Sequence, residues 1–216
     1  MLKFIETLKN IWTIDELKNR ILITLFFLII YRLAAQVVLP GVDYNIISEA
    51  QIAGGGGLLG LLNAFTGGAF ANASVVALGI MPYISASIVV QLMGVALPYL
   101  QKLQKEGESG RKKITQITRW LTIAICVVQA PAYLYGLGAL GVPDAAFVLG
   151  KGPFFIIPSV IILVTGCIFA MWLGEKITDR GIGNGISLLI TVGIIASLPL
   201  SFTQEVISQL SGSGGL

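Results

Sequence analysis

Histidine is absent from the 216 residues, and charge is scarce: 14 Lys and Arg and 11 Asp and Glu make up 12% of the chain. The missing imidazole removes the commonest general base and metal ligand at neutral pH. The missing charge excludes more. An ordinary soluble domain carries about 25% charged residues, roughly twice the share found here. With 55% apolar residues and a mean hydropathy of +0.87, the chain could not cover the surface of a globule. Cysteine is limited to Cys126 and Cys167, both inside long apolar runs and spaced as no metal motif. Buried free cysteine is ordinarily a small apolar filler. The glycine-rich run beginning at Gly54 lacks the Gly-Lys-Ser/Thr ending of a phosphate-binding loop and fits no dinucleotide fingerprint. Paired carboxylates at mid-membrane, the mark of proton-coupled transporters, are missing as well.

What is present is apolar length. A hydrocarbon core of about 30 Å needs about 20 apolar residues in a helix. Five stretches qualify: 21–39, 75–97, 120–139, 154–173 and 186–202. The expected class is therefore an all-α polytopic membrane protein. Residues 1–20 interleave Lys3, Glu6, Lys9, Asp15, Glu16, Lys18 and Arg20 with Leu2, Ile5, Leu8, Ile11, Trp12 and Leu17. That mixture reads as an amphipathic surface helix ahead of the first span.

The cations set the orientation. With the N-terminus cytoplasmic, segments 1–20, 98–119 and 174–185 face the cytoplasm and hold 12 of the 14. Segments 40–74, 140–153 and 203–216 then lie outside, with Lys151 as their one cation, and Arg32 falls within the first span. Arg32 is expected to serve as a structural anchor, by snorkelling or by pairing within the bundle.

From Ala50 to Gln101 no residue is charged. Two spans would fit there, but they would move the basic 98–119 segment to the outside. One crossing is expected instead, preceded by a segment that does not cross. Gly54, Gly55, Gly56, Gly57, Gly60, Gly67 and Gly68 weaken any helix in that segment. Irregular backbone at membrane depth persists only inside protein or along a watery cavity. A re-entrant, cavity-filling segment over 54–74 is expected, with room for a short helix over 58–65. Leu58, Leu59, Leu61, Leu62 and Phe65 argue against a solvated loop.

Polar and kinking residues recur inside the spans: Pro82, Ser85, Ser87 and Gln91, then Gln129 and Pro131, then Pro158 and Thr165. They fit either ordinary interhelical hydrogen bonds or a helix face that sees water or a partner. The run Lys102–Lys113 also holds Glu106 and Glu108, so it is a mixed, hydrated loop. It is a weak nucleic-acid site, although a ribosome or an acidic protein could use it.

Three strings sharpen the reading. Leu78-Gly79-Ile80-Met81-Pro82-Tyr83-Ile84-Ser85-Ala86-Ser87-Ile88 resembles the second-span signature of the SecY family, channel subunits of the bacterial Sec translocase. Lys105-Glu106-Gly107-Glu108-Ser109-Gly110-Arg111 resembles the cytoplasmic loop that follows it in that family. The stretch from Trp172 to Ser187, containing Gly181-Ile182-Gly183-Asn184-Gly185, resembles the loop into the fifth span. The resemblance covers essentially the whole chain, but the family has ten spans and this sequence stops after the fifth. It is similar to the N-terminal half.

The resemblance implies a fold and a set of roles. The halves of such channels are inverted repeats about an axis in the membrane plane, a device shared with transporters. Ile80 and Ile84 match two members of an apolar pore ring, and Ile186 and Ile190 match two more. The segment around 57–74 matches the plug, with Gly57, Leu58, Leu61, Leu62, Phe65, Gly67, Gly68 and Phe70 as its residues. The second span matches one wall of the lateral gate, which makes Ser85, Ser87, Ile88 and Gln91 candidates for contact with signal sequences. Lys102, Lys105, Arg111, Lys112 and Lys113 are the expected cytoplasmic partner contacts.

The function implied is a passive protein-conducting channel that secretes signal-bearing polypeptides and releases membrane segments sideways into lipid. It is not an enzyme, and no cofactor, metal or specific nucleic acid is expected. Implied partners are SecE and SecG in the membrane, SecA or a ribosome on the cytoplasmic side, signal sequences, nascent chains and lipid. The implied location is the bacterial inner membrane. The alternative reading is half of an inverted-repeat transporter for a small solute. A transporter should carry a mid-membrane charge or a discontinuous helix poised on its ligand, whereas this chain offers only Arg32 and glycine-rich backbone.

Overall fold

The computed structural model describes residues 14–43, 46, 66–70, 72–139, 143, 146–147, 150 and 152–210. Within them the structure is helical. Two isolated antiparallel bridges, Val38 with Ser74 and Val42 with Phe147, are the only extended pairings among the described residues.

Helix α1, Asp15–Gln36, opens on Asp15 and Glu16, whose charges favour a helix N-terminus. At about 1.5 Å per residue its 22 residues reach about 33 Å. It runs without a break through the expected boundary between surface helix and first span at residue 20. The remainder of the expected surface helix, 1–13, lies outside the described residues. Leu22, Leu25, Phe26, Ile29 and Leu33 form an exposed apolar stripe along one side of α1, the surface a lipid-facing helix would present.

The second expected span, 75–97, is helical only from Met81. Residues 72–80 are turns apart from the bridge at Ser74. Ala73 and Gly79 have φ of 47° and 54°, which no helix accommodates. The backbone there pairs sideways instead: Leu39 N–H donates to Ala73 O at 2.9 Å, and Val75 N–H to Val37 O at 2.8 Å. Helix α2, Met81–Ala96, then runs until Leu97, which adopts extended angles ahead of Pro98. Proline drives its predecessor out of the helical region, and its ring removes a helical donor. Helix α3, Pro98–Lys105, leaves at 99° to α2.

Helix α4, Glu108–Ala139, corrects the expected 98–119 loop. That segment is helical apart from a short break at Glu106 and Gly107, because high charge lowers hydropathy without lowering helix propensity. Helix α5, Pro153–Arg180, and helix α6, Gly185–Leu210, complete the set. Residues 203–210 of the expected external tail belong to α6.

By length and apolarity, α4 over Glu108–Leu137 and α5 over Pro153–Arg180 can cross a membrane, and the bent α2–α3 pair makes a third if counted as one span. Helix α6 adds a shorter apolar stretch, Gly185–Ala196. Helix α4 packs on α2, α3 and α5, while α5 also packs on α6 and α1, and α1 on α6. One buried cluster joins Leu39, Ala73, Ala77, Leu78, Tyr133, Leu137 and Phe155 at the turn end of the bundle. A second joins Tyr31, Ile80, Leu173, Ile177 and Leu189 between α1, α5 and α6.

Candidate functional site

The α5–α6 elbow sets where α6 begins. Asn184 caps the helix, its Oδ1 accepting from Ile186 N–H at 3.1 Å and Ser187 N–H at 3.4 Å. Thr178 Oγ1 accepts from Gly185 N–H at 2.9 Å, and Thr24 Oγ1 on α1 accepts from Ile182 N–H at 3.1 Å. Gly174 and Gly185 let the two helices touch, since a Cβ on Gly185 would run into the Gly174 carbonyl. The elbow is thus fixed from two neighbouring helices, and with it the register of Ile186 and Ile190.

Gly79 turns the chain into α2 and leaves Ile80 buried at its mouth, with Ile84 one turn further on. Ile80, Ile84 and Ile190 meet Tyr31, Thr66, Gly79 and Met81 around a cavity of about 170 Å³. Three of the four expected ring residues therefore share one small, nearly apolar space. Ile186 stands one helical turn from Ile190, at the edge of a larger cavity of about 710 Å³. That second space is polar and charged, with Arg111, Lys112, Arg119, Glu175, Asp179 and Asn184 on its walls. The change from charged to apolar takes place over one turn of α6.

Arg119 and Glu175 form the best-made ion pair in the polar cavity. Arg119 donates from Nε at 2.9 Å and from Nη2 at 2.6 Å, a bidentate grip. Lys112 pairs with Glu108 at 3.6 Å and Lys113 with Glu106 at 3.7 Å, both on the surface. Lys102, Lys105 and Arg111 are exposed as well.

Of the expected plug residues, Gly57, Leu58, Leu61, Leu62 and Phe65 lie outside the described residues. Gly67, Gly68 and Phe70 belong to a tight stem whose described residues are 66–70 and 72–75. Thr66 Oγ1 accepts from Phe70 N–H at 3.1 Å. Tyr133 on α4 donates to Phe70 O at 2.6 Å, and their rings meet edge to face at 4.9 Å. Arg32 on α1 donates from Nη1 to Gly67 O at 3.2 Å. A half-buried guanidinium needs a hydrogen-bond acceptor to offset its lost hydration. The carbonyl supplies it.

The expected gate residues lie on the open side of α2. Ser85, Ile88 and Gln91 are exposed and Ser87 is half-buried, while Pro82, Ala86, Val90 and Gly94 are buried on the opposite side. Gln91 Nε2 donates to Ser87 Oγ at 3.2 Å, so part of the polarity is already satisfied along the helix. Tyr31, Thr66 and the Arg119–Glu175 pair are site residues that pattern reading passed over. Tyr31 left a faint trace, since Phe27 and Tyr31 are four apart on α1 and share a face. Among the described residues, no group of three or more Cys, Asp or Glu is placed to hold a metal.

The sequence model of the SecY family matches residues 74–215. This chain belongs to the SecY family. The protein translocase subunit SecY of Haemophilus influenzae is 44% identical over 191 residues, which are 88% of this chain and 43% of that protein. Its counterpart in Pseudomonas aeruginosa is 45% identical over 199 residues, 92% of this chain and 44% of that protein. The chain thus spans less than half the length of these SecY relatives. In three dimensions the SecY-family fold recurs in Sec61 of the canine ribosome–channel complex from the endoplasmic reticulum, with TM-score 0.64 and 18% identity over 92% of this chain and 43% of that one. A structure described as a protein conducting channel matches equally, with TM-score 0.64 and 18% identity over 92% and 42%.

Proposed function

We propose that this chain supplies one half of a passive protein-conducting channel of the cytoplasmic membrane. The observation that carries the reading is the step from a charged cavity of about 710 Å³ to an apolar one of about 170 Å³ between Ile186 and Ile190. A narrow, dry constriction opposes ions through a desolvation barrier. Isoleucine offers no charge and no strong hydrogen bond, so an unfolded chain of any sequence can slide past it. The remaining ring members come from the partner half.

Family membership and the exposed faces of the chain support the rest of the reading. The chain crosses the membrane five times, with its N-terminus and the Lys102–Arg119 elbow in the cytoplasm. The exposed side of α2, with Ser85, Ser87, Ile88 and Gln91, is one wall of a lateral gate that signal sequences part. The segment from about 57 to the stem closes the channel from outside. Force comes from a cytoplasmic motor such as SecA or from the ribosome, which meets the exposed Lys102, Lys105, Arg111, Lys112 and Lys113. SecE and SecG accompany the channel in the membrane, and the chain itself performs no catalysis.

The test is electrical. The full channel, both halves assembled in a planar bilayer, carries Ile80→Gly with Ile186→Gly. Resting conductance rises if the isoleucines seal the pore. An unchanged, silent bilayer removes the pore assignment.

A further inference from the structure

The stem is held at its most constrained point by a charged group. Gly67 sits at φ 63°, a conformation that favours glycine. A Cβ there would run into Arg32 Nη1 and would stand 2.8 Å from the carbonyl oxygen of Gly193 on α6. Three elements therefore converge within van der Waals range: the α1 guanidinium, the stem carbonyl and the α6 backbone. Each is adjacent to a wall of the apolar cavity. Tyr31 precedes Arg32, Thr66 precedes Gly67, and Ile190 lies three residues before Gly193 on the same side of α6. Tyr31, Thr66 and Ile190 all line that cavity.

On its other side Arg32 borders an apolar groove made by Leu25, Leu28, Ile29, Leu33 and Val192, together with Gln36. The groove offers little to solvate a guanidinium, which strengthens its hold on the Gly67 carbonyl. Lysine would present a point charge in place of the planar fork.

We propose that Arg32 is the positioning residue that keeps the pore roofed at rest. By holding Gly67 O it presses the 66–70 turn against α6 and seats Thr66 over Ile80, Ile84 and Ile190. It acts on the seal through the stem, without touching the ring or the translocating chain. The proposal rests on the channel reading above.

The experiment uses the full-length, two-half channel in planar bilayers without substrate, and compares Arg32→Met, Arg32→Lys, Gly67→Ala and Ile84→Gly. Losing one charge-assisted hydrogen bond shifts a two-state equilibrium by about tenfold or more, so resting leak through Arg32→Met rises about tenfold. Arg32→Lys keeps a donor and leaks less than Arg32→Met. Equal leak in both overturns the hydrogen-bond basis. Arg32→Met as tight as the unsubstituted channel, beside a leaking Ile84→Gly, overturns the proposal and leaves the channel standing. Silence from all four variants sinks the channel reading itself. If Arg32→Met fails to assemble, Gly67→Ala decides: it keeps the arginine but displaces its acceptor, so leak supports the latch and tightness refutes it.

Discussion

The Arg119 guanidinium grips the Glu175 carboxylate through two parallel hydrogen bonds, 2.9 and 2.6 Å long, and so ties the N-terminal part of α4 to the C-terminal part of α5. The Glu175 side chain keeps only 16% of its exposure, whereas Arg119 keeps 42%. Removing the arginine leaves a largely covered carboxylate without its cation. Because Arg119 is well solvated, the pair contributes less than a buried one: Arg119→Ala costs about 1–2 kcal/mol. The Arg119→Ala/Glu175→Ala double variant costs less than the two single losses added together. Thermal unfolding of the four proteins in detergent, read as a double-mutant cycle, gives the coupling directly. Strict additivity would show the pair to be ornamental.

Tyr133 is 6% exposed and its hydroxyl donates to Phe70 O at 2.6 Å. Tyr133→Phe keeps the ring contact and deletes only the donor. Stability should fall by about 1 kcal/mol, the usual worth of such a bond. Tyr133→Ala also forfeits the packing against Phe70 and costs about 3 kcal/mol or more. Denaturant titration of the two variants separates hydroxyl from ring.

Gly166 on α5 meets the turn before α2 so closely that a Cβ would overlap the Val75 carbonyl. The obstacle is backbone, which cannot swing aside. Gly166→Ala should therefore destabilise by about 1–3 kcal/mol, as overpacking does, although alanine is the better helix former. Gly136 on α4 has nothing within 4 Å of the same position. Gly136→Ala is the control and should be neutral or mildly stabilising in the same melt.

Because 66–75 is fastened at Arg32, Tyr133, Val37 and Leu39, a deletion that starts at Gly57 should end before Thr66. Removing 57–65 in the full channel is expected to relax the demand for a strong signal sequence while preserving expression. Extending the deletion through Asn72 also destroys the stem, and yield should drop with it. Export of reporters with weakened signals, normalised to channel abundance, distinguishes the two. A shorter deletion that retains full stringency would detach the plug role from these residues.

The orientation has its own check. Cysteine at Lys112 should react with an impermeant maleimide only from the cytoplasmic face, and cysteine at Asp144 only from outside. The native Cys126 and Cys167 are buried and give a low background. The reverse pattern would invert every sidedness assigned above.

Much of the architecture was legible in particular residues. The apolar runs 120–139, 154–173 and 186–202 fall within α4, α5 and α6 respectively. Other features had no local signature. Hydropathy reports solvent preference and says little about backbone state. The charged 108–119 stretch therefore read as loop while it forms the first turns of α4, and apolar 75–80 read as span while it forms turns. The Arg119–Glu175 pair joins residues 56 apart, and the Arg32–Gly67 bond joins residues 35 apart. Helical periodicity reaches one or two turns, so neither partner could be inferred from the other.

The doubly fastened stem behaves as a strut. On one side it is tied to α1 by a guanidinium and to the chain after α1 by two backbone bonds, and on the other it is tied to α4 by a phenol. Helix α5 packs on both α1 and α4, and the stem is a second link between them. The turn is held to α1 by the Arg32 bond and to α4 by the Tyr133 bond, so it cannot follow one helix without giving up its bond to the other. In the proposed channel, separating these helices and shifting the 66–70 turn would then be one motion rather than two.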